Sequence, residues 1–121
     1  MADADRERLV IAQIETVRGV ERVDAIAATP GVGVLWVGQY DLSASLGIAG
    51  RFDAPRMREA EDRVVAACHA HGLAAGMLAS STEHADDLLE RGFRCLAVTN
   101  DLQLFDGGLT RAIDAARRPR G

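Results

Sequence analysis

Apolar residues are arranged along the chain in two alternating patterns. Four short runs, Leu9 to Ile14, Val34 to Val37, Leu73 to Leu78 and Cys95 to Val98, are aliphatic and β-branched with little polar alternation. Such runs suit the strands of a parallel sheet buried on both faces. Between them the spacing changes to three or four: Val17, Val20, Val23 and Ala27; Met57, Ala60, Val64, Cys68 and His71; Ala85, Leu88 and Leu89 before Gly92; Leu109, Ala112, Ile113 and Ala116. Each set lays one stripe along a helix. The chain therefore reads β-α-β-α-β-α-β-α, an α/β protein, and residues 1–121 form a single domain with no internal linker.

Boundary residues support the alternation. Pro30-Gly31 stops the first helix, Asp53 with Pro55 opens the second, and Ser80 with Glu83 forms a capping box for the third. The one long connection runs from Gly38 to Pro55, and polar excursions after strands of parallel α/β folds are where active sites lie. Four such units make half of a (β/α)₈ barrel, which takes about 250 residues. Helices on one side only would leave the other sheet face and an edge open. A doubly wound sheet would cover both faces, and the pattern by itself fits either.

Composition narrows the chemistry. With 48% hydrophobic and 26% charged residues the 121-residue chain has the balance of a globular domain. The net charge of −4 gives no electrostatic reason to expect nucleic acid or a membrane surface as partner. All 14 basic residues are arginine, which excludes a Schiff-base lysine and a Walker-A phosphate loop. Cys68 and Cys95 stand far apart, so neither a CxxC pair nor a four-ligand zinc site arises, and both read as buried, reduced thiols. No run approaches the roughly 20 apolar residues of a membrane span, and Met1 to Arg6 is too acidic for a leader. A cytoplasmic protein is expected, with residues 117–121 as a frayed tail.

Polar residues gather where strands end: Gln13-Ile14-Glu15-Thr16 after the first, Gly38 to Ser43 after the second, Thr99-Asn100-Asp101 after the fourth. Adjacent strand ends would bring Glu15 and Asp41 together. Two carboxylates at one point repel unless a proton or cation lies between them, and an oxygen-only set favours Mg²⁺ or Mn²⁺ over zinc. The same residues also suit plainer roles, Glu15 at a helix N-terminus and Asp41 in a turn.

The segments Leu9 to Thr16 and Val37-Gly38-Gln39-Tyr40-Asp41-Leu42-Ser43-Ala44-Ser45-Leu46-Gly47 closely resemble the HpcH/HpaI aldolase and citrate lyase family, particularly its metal-dependent pyruvate aldolases. Gly92-Phe93 and Ala97 to Leu102 are similar to that family's final strand and turn. The resemblance covers almost the whole chain but only the C-terminal half of a family member. It implies the fifth to eighth β/α units of a TIM barrel of the phosphoenolpyruvate-binding type. It further implies Glu15 and Asp41 as metal ligands, and Gln13, Asp41 and the backbone at Tyr40 as contacts to a 2-oxo acid such as pyruvate. Tyr40 is bulkier than the residue often found there, which bears on the preferred aldehyde. The implied activity is that of a class II, metal-dependent aldehyde-lyase, acting on a carbon–carbon bond of a hydroxy-2-oxo acid through a pyruvate enolate. The family's histidine base and arginine belong to the N-terminal half, which this chain lacks. Expected partners are accordingly the oxo acid, an aldehyde, and either further copies or a complementary N-terminal half-barrel. The alternatives are a noncatalytic metal and oxo-acid binding or assembly module, and a truncated aldolase fragment.

Other residues read as structural. His69, His71 and His84 do not share a helix face. Arg18, Arg51 and Arg94 suit a solvated surface, Asp101 a turn or helix cap, Gly107-Gly108 a flexible helix entry, and Trp36 the core or a subunit contact.

Overall fold

A computed structural model describes residues 8–117. Its elements are β1 (Val10–Ile14), α1 (Val17–Glu21), α2 (Val23–Ala27), β2 (Val32–Val37), α3 (Gln39–Ser45), α4 (Pro55–His71), β3 (Ala74–Ala79), α5 (Thr82–Glu90), β4 (Cys95–Val98) and α6 (Asp101–Arg117). The four strands form one parallel sheet in the order β1-β2-β3-β4. A doubly wound sheet reverses its strand order. Here the order never reverses, and right-handed crossovers in one direction set the helices on one face. The fold is thus a one-sided α/β arc of four parallel strands.

One face of that arc makes the core. Ile14, Leu35, Val37, Ala75, Met77 and Ala79 point from the strands into a cluster with Val20, Val23, Leu42, Met57, Val64, Leu88 and Phe93. The alternate residues, Ile11, Gln13, Val34, Trp36, Gly76 and Leu78, lie outside that cluster. Burial on both faces, expected for all four strands, therefore fails. Val10 and Ile11 on the edge strand are exposed, because no described element supplies a second layer over them. Gly76 lets the Trp36 ring lie across β3, since a Cβ there would meet Trp36 Cε3 at 2.5 Å.

Helix ends differ from expectation in four places. The first helix is two, broken at Arg22, whose φ of −102° and ψ of 10° end α1 and begin α2. Ala54 precedes Pro55 at the start of α4, so Asp53 provides no cap. The α5 cap is Ser81, whose Oγ accepts from His84 N at 3.1 Å, because β3 runs one residue further than the apolar run and displaces the turn. Finally, Asn100 Oδ1 accepts from Gln103 N at 2.9 Å and starts α6 at Asp101, so Gly107-Gly108 lie inside the helix. Helix interiors tolerate glycine at about 1 kcal/mol each. Along α6, Leu102, Phe105, Leu109 and Ile113 recur on one side and all are exposed. Of the tail, Arg117 closes α6 and residues 118–121 lie outside the described residues. Cys68 is buried as expected, whereas Cys95 is only half-buried on the uncovered sheet face. Among the described residues no helix is long and apolar enough to cross a membrane.

Arg91, just past α5, locks that helix to α4. It donates to Glu61 Oε2 and to Asp62 Oδ1, each at 2.7 Å, and its guanidinium lies 5.8 Å from the centre of the Phe93 ring. Glu61 is 4% exposed. Burial pushes its carboxyl above the ordinary 4.5, although the Arg91 hydrogen bond and charge oppose the shift. The folded chain thus holds this proton where the unfolded chain has released it. Stability from this group is full below pH 4.5 and is lost as pH rises through the native value. Glu61→Gln is expected to flatten that slope in urea unfolding followed against pH. Arg91→Met, which leaves a buried carboxylate unpaired, should cost about 3 kcal/mol at neutral pH, and adding Glu61→Leu should recover most of it.

Candidate functional site

In a parallel sheet every strand delivers its carboxyl end to the same edge. The register pairs Ile14 with Val37 and Gln13 with Trp36, so the residues that follow β1 and β2 emerge side by side. Two hydrogen bonds fasten them, Gly38 N to Ile14 O and Val17 N to Ser45 Oγ, each 3.0 Å. The segment bearing Glu15 is thereby tied to both ends of the segment bearing Asp41.

Gln13 Nε2 donates to Glu15 Oε2 at 2.7 Å, which fixes one carboxylate oxygen and leaves the other without a partner among the described residues. Thr16, and not Glu15, caps α1: its Oγ1 accepts from Gly19 N at 3.0 Å. Asp41 lies exposed in the first turn of α3 and has no hydrogen bond or ion pair among the described residues. Gly38 is indispensable to this arrangement. A Cβ there would stand 2.6 Å from Gln13 Nε2 and 2.9 Å from Glu15 Cβ.

Gln13, Tyr40 and Asp41 line one cavity of about 120 Å³, together with Trp36, Val37, Gly38, Gln39 and Leu78. Glu15 is not in that lining and reaches it through Gln13. The Tyr40 ring packs edge-on against Phe52, centroids 5.1 Å apart, so its bulk is carried toward the loop after α3. The first turn of α3 leaves amides free, since its first helical bond is Leu42 N to Gly38 O. Spacing drew attention to the carboxylates but not to Gly38 or Gln39. The glycine directly after an apolar run was the available sign of close backbone approach.

No group of three His, Cys, Asp or Glu side chains able to hold a metal occurs among the described residues. Two carboxylates suffice for Mg²⁺ or Mn²⁺, which retain waters or bind substrate oxygens in their remaining positions. The donor chemistry fits such an ion: all oxygen, with one Glu15 oxygen and the whole Asp41 carboxylate unengaged among the described residues.

The remaining candidates lie elsewhere. His69 and His71 are exposed at the end of α4, and His84 Nδ1 lies 3.1 Å from Ser80 Oγ at the start of α5. Arg94 donates to Leu89 O and Phe93 O, while Arg18 and Arg51 are exposed. Asp101 is the first residue of α6, and its Oδ1 accepts from Leu102 N. Burial pushes the Cys68 thiol up, away from the thiolate form.

Residues 3–106 match the family described as HpcH/HpaI aldolase/citrate lyase. A 5-keto-4-deoxy-D-glucarate aldolase from Citrobacter koseri is 36% identical over 117 residues, 97% of this chain and 46% of that one. An HpcH/HpaI aldolase/citrate lyase family protein from Burkholderia cenocepacia superposes with a TM-score of 0.90 at 39% identity, covering 93% of this chain and 44% of that one. A citrate lyase beta subunit from M. tuberculosis, complexed with oxaloacetate and magnesium, superposes with a TM-score of 0.67 at 26% identity, covering 93% of this chain and 54% of its own. The chain spans about half the length of the relatives it matches.

Gly38→Ala should break the Gln13–Glu15 bond and cost about 1–3 kcal/mol through overpacking. Urea unfolding reads the stability, and the Gln13 side-chain amide resonances read the bond. Wild-type amide shifts in the variant would contradict the close approach.

Proposed function

The chain belongs to the HpcH/HpaI aldolase/citrate lyase family, and from that premise we propose that it provides the metal- and oxo-acid-binding half of an aldolase or lyase site. The observation that supports this reading is the fastening of β1 to α3, with Gln13, Tyr40 and Asp41 lining one strand-end cavity and Glu15 hydrogen-bonded to Gln13. Glu15 and Asp41 hold the divalent ion. When bound, Mg²⁺ or Mn²⁺ supplies the positive charge that stabilises the oxygen becoming negative as a carbon–carbon bond next to the keto group breaks. That charge takes the place of a Schiff base in a chain without lysine.

The protein groups have separate tasks. Gln13 holds Glu15 in one rotamer through its Nε2, and the 2.7 Å bond limits how far the carboxylate turns. The unbonded N–H of Tyr40 donates to a carboxylate oxygen of a 2-oxo acid such as pyruvate. Gly38 admits the side chains to the backbone. No histidine lines the cavity, so the proton transfer that releases an aldehyde needs a base from another polypeptide segment. That absence favours a second reading, binding of the metal and oxo acid without turnover.

The uncovered sheet face and the exposed stripe of α6 motivate a further proposal of association, either with another copy or with a complementary N-terminal half-barrel. Light scattering over a dilution series should then give a mass above the monomer that falls on dilution. A constant monomer mass would reject self-association.

Mn²⁺ titration of the wild type, Glu15→Gln and Asp41→Asn tests the metal reading. Each substitution should weaken binding by more than the roughly tenfold typical of an outer-shell change, whereas Gln13→Ala should show only that smaller loss. Equal affinity in all would remove the site. Pyruvate release from hydroxy-oxo acids by the purified chain should be absent or very slow, and efficient turnover would show that the chain supplies its own base.

A further inference from the structure

The first turn of α5 is closed by a reciprocal pair of hydrogen bonds. Ser81 Oγ accepts from His84 N at 3.1 Å, and the His84 ring reaches back, where its Nδ1 accepts from Ser80 N at 3.2 Å. In a capping box the return contact is made by a glutamate or glutamine at the third helical position. Here the acceptor is an imidazole nitrogen, which a modest change of pH removes.

A backbone N–H can only donate, so the Nδ1 that it meets holds a lone pair, and the ring is neutral with its proton on Nε2. Ser80 Oγ, 3.1 Å from the same Nδ1, suits either state of the ring, because a hydroxyl donates to the neutral form and accepts from the charged one. The backbone contact has no such freedom. Once Nδ1 carries a proton, two donors face each other and Ser80 N–H loses its acceptor. The charged ring also stands in the first turn of α5, at the positive end of the helix dipole.

Charges of both signs surround the ring. His84 borders a cavity of about 250 Å³ with Asp53, Arg58, Glu61, Asp87 and Arg91, in which Arg58 pairs with Asp87 at 3.2 Å and Arg91 with Glu61 at 2.7 Å. On α5 itself the Glu83 carboxylate is hydrogen-bonded to its own N–H and to Ser81 and Thr82. Arg111 shares a second cavity with Ser80. These groups set the pH at which the ring titrates, but whether Nδ1 can accept is decided by the proton alone.

We propose that Ser81 and His84 form a pH-sensitive cap on α5: the neutral ring holds Ser80 N–H and fastens the end of β3 to the helix, and the protonated ring releases that amide while keeping Ser80 Oγ. β3 ends at Ala79, so the bond lost is at the carboxyl edge of the sheet. Acid therefore loosens that edge at β3. The β1–β2 fastening through Gly38 N and Ser45 Oγ contains no histidine and stays as it is.

NMR of the intact chain between about pH 8 and pH 5, the range in which imidazoles titrate, tests this. At the upper end the His84 ring should show a bare Nδ1 and a protonated Nε2. On acidification the exchange protection of Ser80 N–H should fall about fivefold to tenfold, the effect of one hydrogen bond, with the midpoint of the His84 ring, while Gly38 N–H keeps its protection. His84→Gln, whose acceptor does not titrate, should hold Ser80 N–H throughout, and His84→Ala should hold it nowhere. Glu61 cannot imitate the effect, because its contribution to stability grows as pH falls. A ring with its proton on Nδ1 at the upper end, Ser80 protection that does not change with pH, or a loss that persists in His84→Gln each overturns the switch. So does wild-type protection in His84→Ala. The wild-type readings decide the matter even where a variant fails to fold.

Discussion

The parallel register of β1 and β2 is the constraint on which the site depends. Laying Ile14 opposite Val37 places Gly38 N–H on Ile14 O and brings the backbone of one strand end against the side chains of the other. Only glycine admits that contact, with Gln13 Nε2 and Glu15 Cβ both closer than a further carbon allows. A slip of one residue would turn Gln13 into the helix-side core and Ile14 onto the open face. The burial of Ile14, Val37 and Leu42 and the exposure of Gln13 and Asp41 therefore select the same register. Core packing and chemistry are set by one alignment.

A sheet wound in one direction has two unequal faces. The helix side is closed by aliphatic packing and by Arg91, whose bonds to Glu61 and Asp62 bind α5 to α4. The other side carries Gln13, Trp36 and Leu78, so the cavity opens where the fold has spent least on its own burial. α6 extends the asymmetry, since none of its residues is buried. Its stripe of Leu102, Phe105, Leu109 and Ile113 has the spacing of a helix that packs, which agrees with a chain matching about half the length of its relatives.

α3 shows how a short helix serves both sides. Leu42 anchors it in the core, Ser43 ties its first turn to Gly50, and Asp41 and Tyr40 face outward. Gln39 differs, being enclosed like Leu42 yet polar, with no hydrogen-bond partner for its Oε1 among the described residues.

Much of this was legible in the sequence. Aliphatic runs and three-four spacing are local properties, and they located all four strands and the main helical segments to within a few residues, apart from α3 and the early start of α6. The Gln13-Ile14-Glu15 and Tyr40-Asp41 segments, read with their resemblance, were enough to nominate the site. Helix ends were harder. Ser81 instead of Ser80, Asn100 instead of Asp101, and the break at Arg22 depend on where a neighbouring strand stops or which carbonyl lies within reach. The choice between an arc and a doubly wound sheet needed the strand order, which apolar patterning does not encode because both folds repeat the same β/α unit. Gly38 followed an apolar run directly, but the close approach that makes it matter comes from another strand, which is not a property of neighbouring residues in the chain. The sequence by itself determined which segments fold and which residues are chemically able; tertiary structure alone decided which of them meet, because register and enclosure arise only between elements distant along the chain.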